Sequence, residues 1–332
     1  QQPMPRITRE ENDIYMIYTG GTTGMPKGVM YEMGDLTRAF ATLGFPLLGI
    51  TPPADAAEIA PLIRGIVEAG GQMISLSCAP LMHGTGVWLG AMIPQLGGAA
   101  VVTLESRSLD ADEVLRTVQR EGVTNMTIVG DAFAKPIIAA IDRAAAAGTP
   151  YDLSKLKMII SSGVMWTAEV KEQLLDRIDN VILLDAIGSS EGSMGNSISM
   201  KGVPPSTAKF TRNPTTKVFT EGDREVEPGS DETGMVAVSG GMVPIGYFKD
   251  EEKSARTFRT IDGVRYSFPG DMGMVAADGS LILLGRGSQV INSGGEKIFP
   301  EEVEEAVKRV EGVVDCLVIG IDDERFGQAV TA

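Results

Sequence analysis

The segment Ile14–Met30, IYMIYTGGTTGMPKGVM, carries the strongest chemical signal in the sequence, because an apolar stretch runs into a loop rich in glycine and threonine. Glycines allow backbone N–H groups to converge on an anion, threonine hydroxyls add donors, and a lysine neutralises charge. The residues concerned are Thr19, Gly20, Gly21, Thr22, Thr23, Gly24 and Lys27. The pattern predicts a phosphate cradle, with a flexible solvated loop as the alternative. It is not a Walker A loop, because Pro26 precedes the lysine and Gly28 follows it.

A second glycine-rich turn, Gly188–Gly192 (GSSEG), follows the apolar run Val181–Ile187. It matches the G-x-S-x-G elbow of serine hydrolases, in which Ser190 would be the nucleophile. That chemistry needs a histidine later in the chain, and the single histidine, His83, lies far upstream. We therefore expect Ser190 to donate to a phosphate oxygen and Glu191 to supply an oxygen ligand to Mg2+. A capped turn with a surface glutamate is the alternative.

Two later residues have the chemistry to bind a sugar. Asp271 lies in a Pro-Gly turn, YSFPGDMG, where a carboxylate can accept hydrogen bonds from both hydroxyls of a ribose. Arg286, in LLGRGS, can bind the same hydroxyls. Each alone is typical of a turn or a surface, but together with the phosphate cradle they indicate a nucleotide site.

A different nucleotide site is outlined by Gly84, Gly86 and Gly90, with Glu105 at the end of the next apolar run. This spacing resembles a dinucleotide fingerprint, which needs a tight turn directly after a strand. Pro80 and further residues separate the preceding apolar run from the first glycine. This separation argues against the fingerprint, so we keep an NAD(P)-dependent oxidoreductase only as the alternative function.

The composition excludes several classes of protein. The chain has 332 residues, enough for about two domains, and 29 basic against 44 acidic residues give a net charge of −15. We expect no nucleic-acid partner, because a strongly acidic surface repels a polyanion. One histidine and two cysteines, Cys78 and Cys316, cannot form a Cys/His zinc site, and they indicate a reduced, cytoplasmic chain without disulfides.

No membrane span is expected. The longest uncharged stretch, Ala69–Leu104, is interrupted by Pro80, Pro94 and the pair Gly97-Gly98, so its pieces are too short to cross a bilayer. The first residues, QQPMPRITREEND, lack the apolar core of a signal peptide.

Apolar runs alternate with amphipathic stretches as far as about Asn196, which predicts an α/β fold with a mainly parallel, covered sheet. Ligands of such sheets bind at the carboxyl ends of the strands. The expected strands include IYMIYT, Met73–Cys78, Ala99–Leu104, MTIVG, KMIIS and Val181–Ile187. The expected helices are Asp110–Glu121, Ala132–Ala147 and Ala168–Arg177.

Beyond Lys201, short apolar pairs broken by Pro, Gly and Asp predict hairpins of a barrel or antiparallel layer. We therefore divide the chain into an α/β nucleotide- and acyl-binding region (1–201), a β-rich, barrel-like subdomain (202–285) and a truncated α+β unit (286–332). In the last unit we expect a helix at Pro300–Val310 and a strand at Asp315–Ile321.

Five motifs resemble, in order and spacing, those of the adenylate-forming superfamily, which includes acyl-CoA synthetases, luciferases and adenylation domains of peptide synthetases. They are YTGGTTGMPKG (Tyr18–Gly28), GSSEG (Gly188–Gly192), GYFKDEEKSARTF (Gly246–Phe258), PGD (Pro269–Asp271) and GRGSQVINSGGEKIFPEEVE (Gly285–Glu304). Five ordered motifs are far more specific than any one of them, and they cover nearly the whole chain.

The resemblance implies a role for each motif residue. The Thr19–Lys27 loop would handle the β- and γ-phosphates of ATP, and Gly163 would lie beside the adenine. Thr23 and Glu191 would hold Mg2+, and Asp271 and Arg286 would bind the ribose. Further contacts are implied with ATP for Asp185, Ile187, Gly188, Ser189 and Ser190, and with CoA for Gly294 and Gly295. Thr23, Lys27, His83, Ser190 and Glu191 form the expected catalytic set.

The sequence also departs from the family pattern. Gly20, Ile187 and Pro269 stand where relatives usually have serine, tyrosine and threonine, and Ser288 takes the place of a charged hinge residue. The family's catalytic lysine lies in a motif beyond Ala332. We therefore expect a fragment of a longer enzyme, lacking an N-terminal part as well, and keep a non-catalytic nucleotide-binding fragment as a further alternative.

The segment Pro80–His83 offers no acid to hold an ammonium group, and it resembles the fatty-acid and aryl-acid branch. Met82, Val87, Trp88, Met165 and Met194 are candidates for an apolar pocket, or else ordinary core residues. His83 would either control access beside the acyl carboxylate or be a buried histidine whose ring nitrogens are hydrogen-bonded within the core. The resemblance implies an ATP- and Mg2+-dependent acid:CoA ligase for a medium- or long-chain fatty acid or a steroid side-chain acid. Self-association is left open.

Overall fold

The computed structural model describes residues 8–21, 24–294, 296–310, 312–313, 315–323 and 325–332. The helices are α1 (Met33–Leu47), α2 (Ile59–Glu68), α3 (Ile93–Leu96), α4 (Ala111–Glu121), α5 (Gly130–Ala146), α6 (Ala168–Arg177), α7 (Glu251–Thr257) and α8 (Pro300–Lys308). A π-helical segment, Thr85–Met92, leads directly into α3, and short 3-10 turns lie at Ala56–Glu58 and Gly287–Gln289.

The strands fall into three sheets. In chain order they are β1 (Ile14–Gly21), β2 (Gly24–Glu32), β3 (Ile74–Ser77), β4 (Ala100–Val102), β5 (Asn125–Ile128), β6 (Met158–Ser161), β7 (Ile182–Ser189), β8 (Gly192–Ser199), β9 (Lys209–Arg212), β10 (Thr216–Phe219), β11 (Gly234–Ser239), β12 (Gly246–Tyr247), β13 (Phe258–Ile261), β14 (Val264–Ser267), β15 (Asp271–Val275), β16 (Leu281–Arg286), β17 (Ile291–Ser293), β18 (Glu296–Ile298), β19 (Ile319–Asp323) and β20 (Gly327–Thr331).

The first half of the large sheet is parallel, in the order β4-β3-β5-β6-β7. Its central strands are buried, and α4, α5 and α6 contribute to the same apolar core. Helix α4 begins where the Asp110 carboxylate accepts the N–H groups of Asp112 and Glu113, which satisfies two otherwise unpaired donors. Helix α6 begins and ends at the predicted residues, and the predicted α/β class is confirmed.

The large sheet continues as antiparallel strands beyond β7, in the order β8-β9-β16-β15-β11-β14-β13, and β10 pairs with β11. Within β15 and β16, Asp271 is the register partner of Arg286. The expected change to hairpins after Lys201 is therefore present. The exact domain boundaries stay a prediction, because β9 joins both halves of this sheet.

The first apolar strand does not belong to the large sheet. We expected IYMIYT among the strands that alternate with helices, and this was wrong: β1 pairs with β2 and β12 in a separate three-stranded antiparallel sheet. The two residues of β12 pair with Met30 and Val29 of β2. An apolar strand has the same local pattern in both kinds of sheet, so its partner was not readable from the pattern.

The last unit contains a four-stranded antiparallel sheet, β18-β17-β20-β19, and α8, which contacts β16 of the large sheet. Helix α8 begins at Pro300, as predicted, and its first turn carries Glu301 and Glu302. The strand predicted at Asp315–Ile321 begins later, at Ile319. Across the described part of the chain, no helix is long and apolar enough to cross a membrane.

Candidate active site

Two adjoining cavities lie at the carboxyl ends of β6 and β7, where the sequence predicted a ligand site. The first has a volume of about 210 Å3 and the second about 390 Å3. We call them the nucleotide cavity and the acyl cavity after the ribose and the acyl tail that the sequence analysis leads us to expect there; several of the residues expected to bind the phosphates line the second. They share a wall made of Gly163, Ala186, Ile187, Gly188 and Arg286. A ligand that fills both would therefore pass over this wall.

Asp271 and Arg286 meet in the nucleotide cavity. Arg286 Nε lies 3.0 Å from Asp271 Oδ1, and its Nη1 donates to the Pro269 carbonyl at 3.2 Å. Burial raises the pKa of Asp271, and the charge of Arg286 opposes that rise. Among the described residues, Asp271 Oδ2 is buried without a hydrogen-bond partner. A buried acceptor of this kind fits a hydroxyl donor, as the ribose assignment requires.

Part of the nucleotide cavity wall is formed by the segment after β6 and by residues of β7. Gly163 adopts φ +103°, a conformation that favours glycine, and turns the chain from β6 into Val164–Trp166. Asp185 and Ile187 line the same space. This strand therefore contributes an aliphatic side chain, Ile187, and a carboxylate, Asp185, to the cavity wall.

Glu191 lies in the two-residue turn between β7 and β8 and is buried. Its Oε1 accepts a hydrogen bond from the Tyr247 hydroxyl at 2.7 Å and lies 3.9 Å from Lys27 Nζ. Lys27 also lies over the Tyr247 ring, 5.0 Å from its centroid. Burial lowers the pKa of Lys27, and the charge of Glu191 opposes this. The turn and β2 thus place a carboxylate and a lysine side by side in the wall of the acyl cavity.

Two tyrosines that the sequence analysis did not single out hold this turn. Tyr31 of β2 donates from its hydroxyl to the Ser190 carbonyl, and Tyr247 of β12 donates to Glu191. Burial raises the pKa of both hydroxyls, so both remain protonated donors. The only signal in the sequence was the GYF motif that contains Tyr247.

Magnesium fits this arrangement. In the described part of the chain, no group of three or more His, Cys, Asp or Glu side chains is close enough to hold a metal ion alone. Mg2+ is usually held by one or two carboxylates together with substrate phosphates and water. Glu191 has one oxygen engaged by Tyr247 and lies beside the cradle lysine, which suits such a shared site.

One part of the acyl cavity wall is apolar, with side chains from α1, the π-helical segment and α3, and with Met242 from the loop after β11. The side chains from the three helical elements are Phe40, Leu43, Leu47, Trp88, Leu89 and Ile93. Of the five side chains proposed from the sequence, Trp88 lies here, whereas Met165 and Met194 line the nucleotide cavity. Met82 is 84% exposed, and Val87 packs against a core cluster. The sequence analysis did not identify the α1 side chains as cavity residues, because no local motif distinguishes them from other apolar residues.

His83 lines the acyl cavity and is exposed, so the buried-histidine interpretation was wrong. The backbone N–H of Thr85 donates to its Nδ1 at 3.3 Å. A neutral ring with Nδ1 as acceptor carries its proton on Nε2. This hydrogen bond helps to hold the ring at the wall of the acyl cavity.

Neither alternative enzyme fits the local structure. Gly84–Gly90 lies in a helical segment, and a Cβ on Gly86 would collide with the Pro80 carbonyl, so these residues form no tight pyrophosphate turn. The GSSEG turn joins two antiparallel strands rather than a strand and a helix, which the nucleophile elbow requires.

The remaining predicted residues fall into three groups. Thr19, Gly20, Lys27, Gly188, Ser189, Ser190 and Glu191 line the acyl cavity together with His83 and Arg286. Gly21 and Gly24 pair at the tip of the β1-β2 hairpin, and Gly294 donates its N–H to the Phe326 carbonyl at 2.8 Å. Thr22, Thr23 and Gly295 lie outside the described residues.

Comparison with known proteins gives a consistent result. The family model described as "AMP-binding enzyme" matches residues 1–248. A medium/long-chain-fatty-acid–CoA/3-oxocholest-4-en-26-oate–CoA ligase of Mycobacterium marinum is 40% identical over 98% of this chain and 57% of its own length. A 3-oxocholest-4-en-26-oate–CoA ligase of Rhodococcus rhodochrous is 40% identical, with the same coverage.

The fold has counterparts among solved structures. The ATP-bound MatB of Rhodopseudomonas palustris superposes with a TM-score of 0.76 at 20% identity, over 99% of this chain and 59% of that one. The chain spans about 57% of the length of the two curated relatives.

Proposed function

This chain belongs to the AMP-binding enzyme family, and from that premise we propose that it is the nucleotide- and acyl-binding part of an ATP-dependent acid:CoA ligase. The observation that carries the proposal is the wall shared by the two cavities. It joins the cavity that contains a ribose-type pair, Asp271 and Arg286, to a second cavity whose wall includes Glu191, Lys27 and a group of apolar side chains.

The first reaction would join the carboxylate of the acid to the α-phosphorus of ATP. A P–O bond forms to the carboxylate, the bond to the β-phosphate oxygen breaks, and pyrophosphate leaves. Asp271 and Arg286 would fix the ribose, and the Ser190 hydroxyl would donate to the α-phosphate. Holding both reactants in one cleft makes the attack effectively unimolecular. Lys27 would balance charge on the departing pyrophosphate.

Mg2+, when bound, would be held by Glu191 and the phosphates and would neutralise negative charge on the phosphoryl oxygens. Tyr247 would keep the Glu191 carboxylate in position through its hydroxyl. In the second reaction the CoA thiolate would attack the acyl carbonyl, forming the thioester and releasing AMP. The contact of Gly294 and Gly295 with CoA, and the metal role of Thr23, remain proposals.

The substrate would be a carboxylic acid with an apolar tail. Part of the acyl cavity wall consists of Leu, Ile, Phe and Trp side chains, whose burial against an apolar tail is favourable at roughly 25 cal/mol per Å2. Fatty acids and a steroid side-chain acid appear in the names of the relatives, and either fits this chemistry. The free cysteines Cys78 and Cys316 support a cytoplasmic location.

The test is the product pattern of the complete enzyme. Incubation with ATP, CoA and acetate, octanoate, palmitate, benzoate or a steroid acid should yield AMP and pyrophosphate, with the apolar acids fastest. Release of ADP, or no turnover with any acid, would contradict the proposal. Calorimetric titration with ATP and NADPH provides a second measurement, in which binding of NADPH alone would favour the oxidoreductase.

A further inference from the structure

Tyr31 connects the wall of the acyl cavity to the turn that carries Ser190, although it lines neither cavity itself. It lies on β2 and is 1% exposed. Its hydroxyl donates to the Ser190 carbonyl, and its ring packs edge-on against Trp88, with the ring centroids 5.8 Å apart. Trp88 lines the acyl cavity. Tyr31 therefore touches both the turn expected at the α-phosphate and a side chain expected to contact the acyl tail.

Trp88 belongs to an aromatic cluster that a long acyl tail would contact. Phe40 packs edge-on against its ring at 6.0 Å between centroids, and the indole Nε1 donates to the Tyr15 hydroxyl at 3.2 Å. Tyr15 is the register partner of Tyr31 in the β1-β2 hairpin. Phe40 and Trp88 both line the acyl cavity. A tail of sufficient length adds dispersion contacts to this cluster, whereas a short acid does not.

The position of the Ser190 turn matters for the rate of the first reaction. In that reaction the Ser190 hydroxyl would donate to the α-phosphate, and misplacing a group of this kind by about 1 Å can lower a rate about 100-fold. Binding energy from a remote part of a substrate raises kcat when it is used to orient the reacting groups. The packing of Trp88 on Tyr31 provides a route by which an acyl tail can do this.

We propose that Tyr31 is a positioning residue that makes the rate of adenylate formation depend on the length of the acyl tail. A tail packed on Trp88 restricts the Tyr31 ring, and the Tyr31 hydroxyl then holds Ser190 at the α-phosphate. Acids whose apolar tails reach Trp88 are thereby selected by their rate of reaction as well as by their affinity. This inference rests on the proposed function, because it assigns a role within the first reaction of the ligase.

The first test uses the unmodified, complete enzyme and acids of increasing length. Pyrophosphate formed in the first turnover is measured with butanoate, hexanoate and octanoate, at saturating ATP and acid and without CoA. The limiting rate should rise about tenfold or more from butanoate to octanoate, because part of the binding energy of the added methylenes orients the turn. Equal limiting rates, with only the half-saturating acid concentration changing, would overturn the inference and leave the ligase proposal intact. Absence of pyrophosphate with every acid, palmitate and a steroid acid included, would instead count against the ligase proposal.

Tyr31→Phe then separates coupling from simple support. The variant keeps the ring against Trp88 and deletes only the hydroxyl that donates to Ser190. The limiting rate with octanoate should fall about tenfold and that with butanoate about twofold or less, because butanoate does not reach Trp88. The half-saturating concentrations should keep their dependence on length, since the cavity wall is unchanged. A hydroxyl that merely supports the turn would lower both limiting rates by the same factor, and that result would overturn the inference.

Tyr151→Phe is the matched control, because its hydroxyl donates to Asp112 at 2.9 Å and the residue lines neither the nucleotide cavity nor the acyl cavity. Both limiting rates should be unchanged in this control.

Trp88→Phe tests the other contact and decides between the outcomes if Tyr31→Phe does not fold. The smaller ring should lower the octanoate-to-butanoate ratio of limiting rates about fivefold, because its packing on Tyr31 is weaker. Urea unfolding checks that each variant is folded. An unchanged ratio in folded Trp88→Phe would contradict the route through Trp88 and overturn the inference.

Discussion

At the scale of single residues, Glu191 connects two other site residues, because the Tyr247 hydroxyl and the Lys27 ammonium both approach its Oε1. Glu191→Gln removes the charge that would bind Mg2+ and should lower the rate of adenylate formation by about 100-fold or more. Lys27→Ala should lower this rate less, because it removes only the positive charge that balances the departing pyrophosphate. Both are measured as pyrophosphate release by the complete enzyme.

Glu68→Gln is the control for this pair of variants, because Glu68 is exposed at the end of α2. Equal and negligible effects of Glu191→Gln and Lys27→Ala would refute the assignment of the turn to the phosphates and their metal ion.

Tyr247 acts through Glu191 rather than on the substrate. Tyr247→Phe keeps the ring beneath Lys27 but deletes the hydroxyl that donates to the carboxylate at 2.7 Å. Partners of metal-binding groups typically contribute about 10–100-fold to metal affinity, so the Mg2+ concentration for half-maximal rate should rise about tenfold. Tyr18→Phe, at a tyrosine that is 58% exposed, should leave this concentration unchanged. A changed rate with an unchanged Mg2+ requirement would argue against this role.

At the scale of elements, the sequence predicted α4, α5, α6 and α8, gave no sign of α1, α2 or α7, and indicated the strand partners only in part. Helices α4, α5 and α6 follow from apolar periodicity and from capping residues such as Asp110 and Thr167, all of which are local signals. Strand β1 has an equally clear apolar pattern, but its sheet includes β12, which is distant in the chain. Pairing between distant segments is decided by tertiary packing, which no short window contains.

The site residues divide in the same way, into those that local sequence signals identify and those that only the tertiary structure identifies. Ser190, Asp271 and Arg286 lie in motifs with turn chemistry and could be found from the sequence. Tyr31 and Tyr247 could not be assigned roles, because a tyrosine in a strand is ordinary there. Their importance appears only when the fold buries them against the turn that carries Ser190.

The π-helical segment is positioned by close packing at Gly90. A Cβ there would lie 2.6 Å from the Ser77 Cβ, so Gly90→Ala must push the segment away from β3. We expect a loss of about 1–3 kcal/mol in the free energy of unfolding and a weaker fit of the acid. Urea unfolding measures the first and the KM for the acid the second.

Gly65→Ala is a suitable comparison, because Gly65 lies inside α2 and a Cβ there meets nothing within 4 Å. It should be neutral or stabilising by up to about 1 kcal/mol. If Gly90→Ala were as well tolerated as Gly65→Ala, close packing against β3 would not be what holds the acyl wall.

At the scale of the whole molecule, three parts of the structure, each with its own sheet, contribute residues to the two cavities. The three-stranded sheet supplies Lys27 and two tyrosines, the large sheet supplies Glu191, Asp185 and Asp271, and the last unit reaches the nucleotide cavity through Glu301. Each unit has its own hydrogen-bonded sheet, yet none holds a full set of groups for the proposed reaction. The chemistry therefore depends on how these units are packed together.

Glu301, in the first turn of α8, allows a test of whether the proposed chemistry depends on how these parts are packed together. Its Oε2 is buried without a hydrogen-bond partner among the described residues, and Gly285 leaves room for the carboxylate. Burial raises the pKa of Glu301, and the nearby negative charge of Asp271 adds to the rise. Above that pKa, an ionised Glu301 opposes an incoming polyanion.

Glu301→Gln should therefore bind AMP about fivefold more tightly at high pH, because about 1 kcal/mol of repulsion is removed. The gain should vanish as the pH falls through the raised pKa, where the unmodified side chain is already neutral. Calorimetric titration of the complete enzyme with AMP at several pH values measures both effects. Glu302→Gln, on the same turn but lining neither cavity, should show no gain. Equal affinities for AMP at every pH would mean that α8 does not reach the nucleotide in the working enzyme.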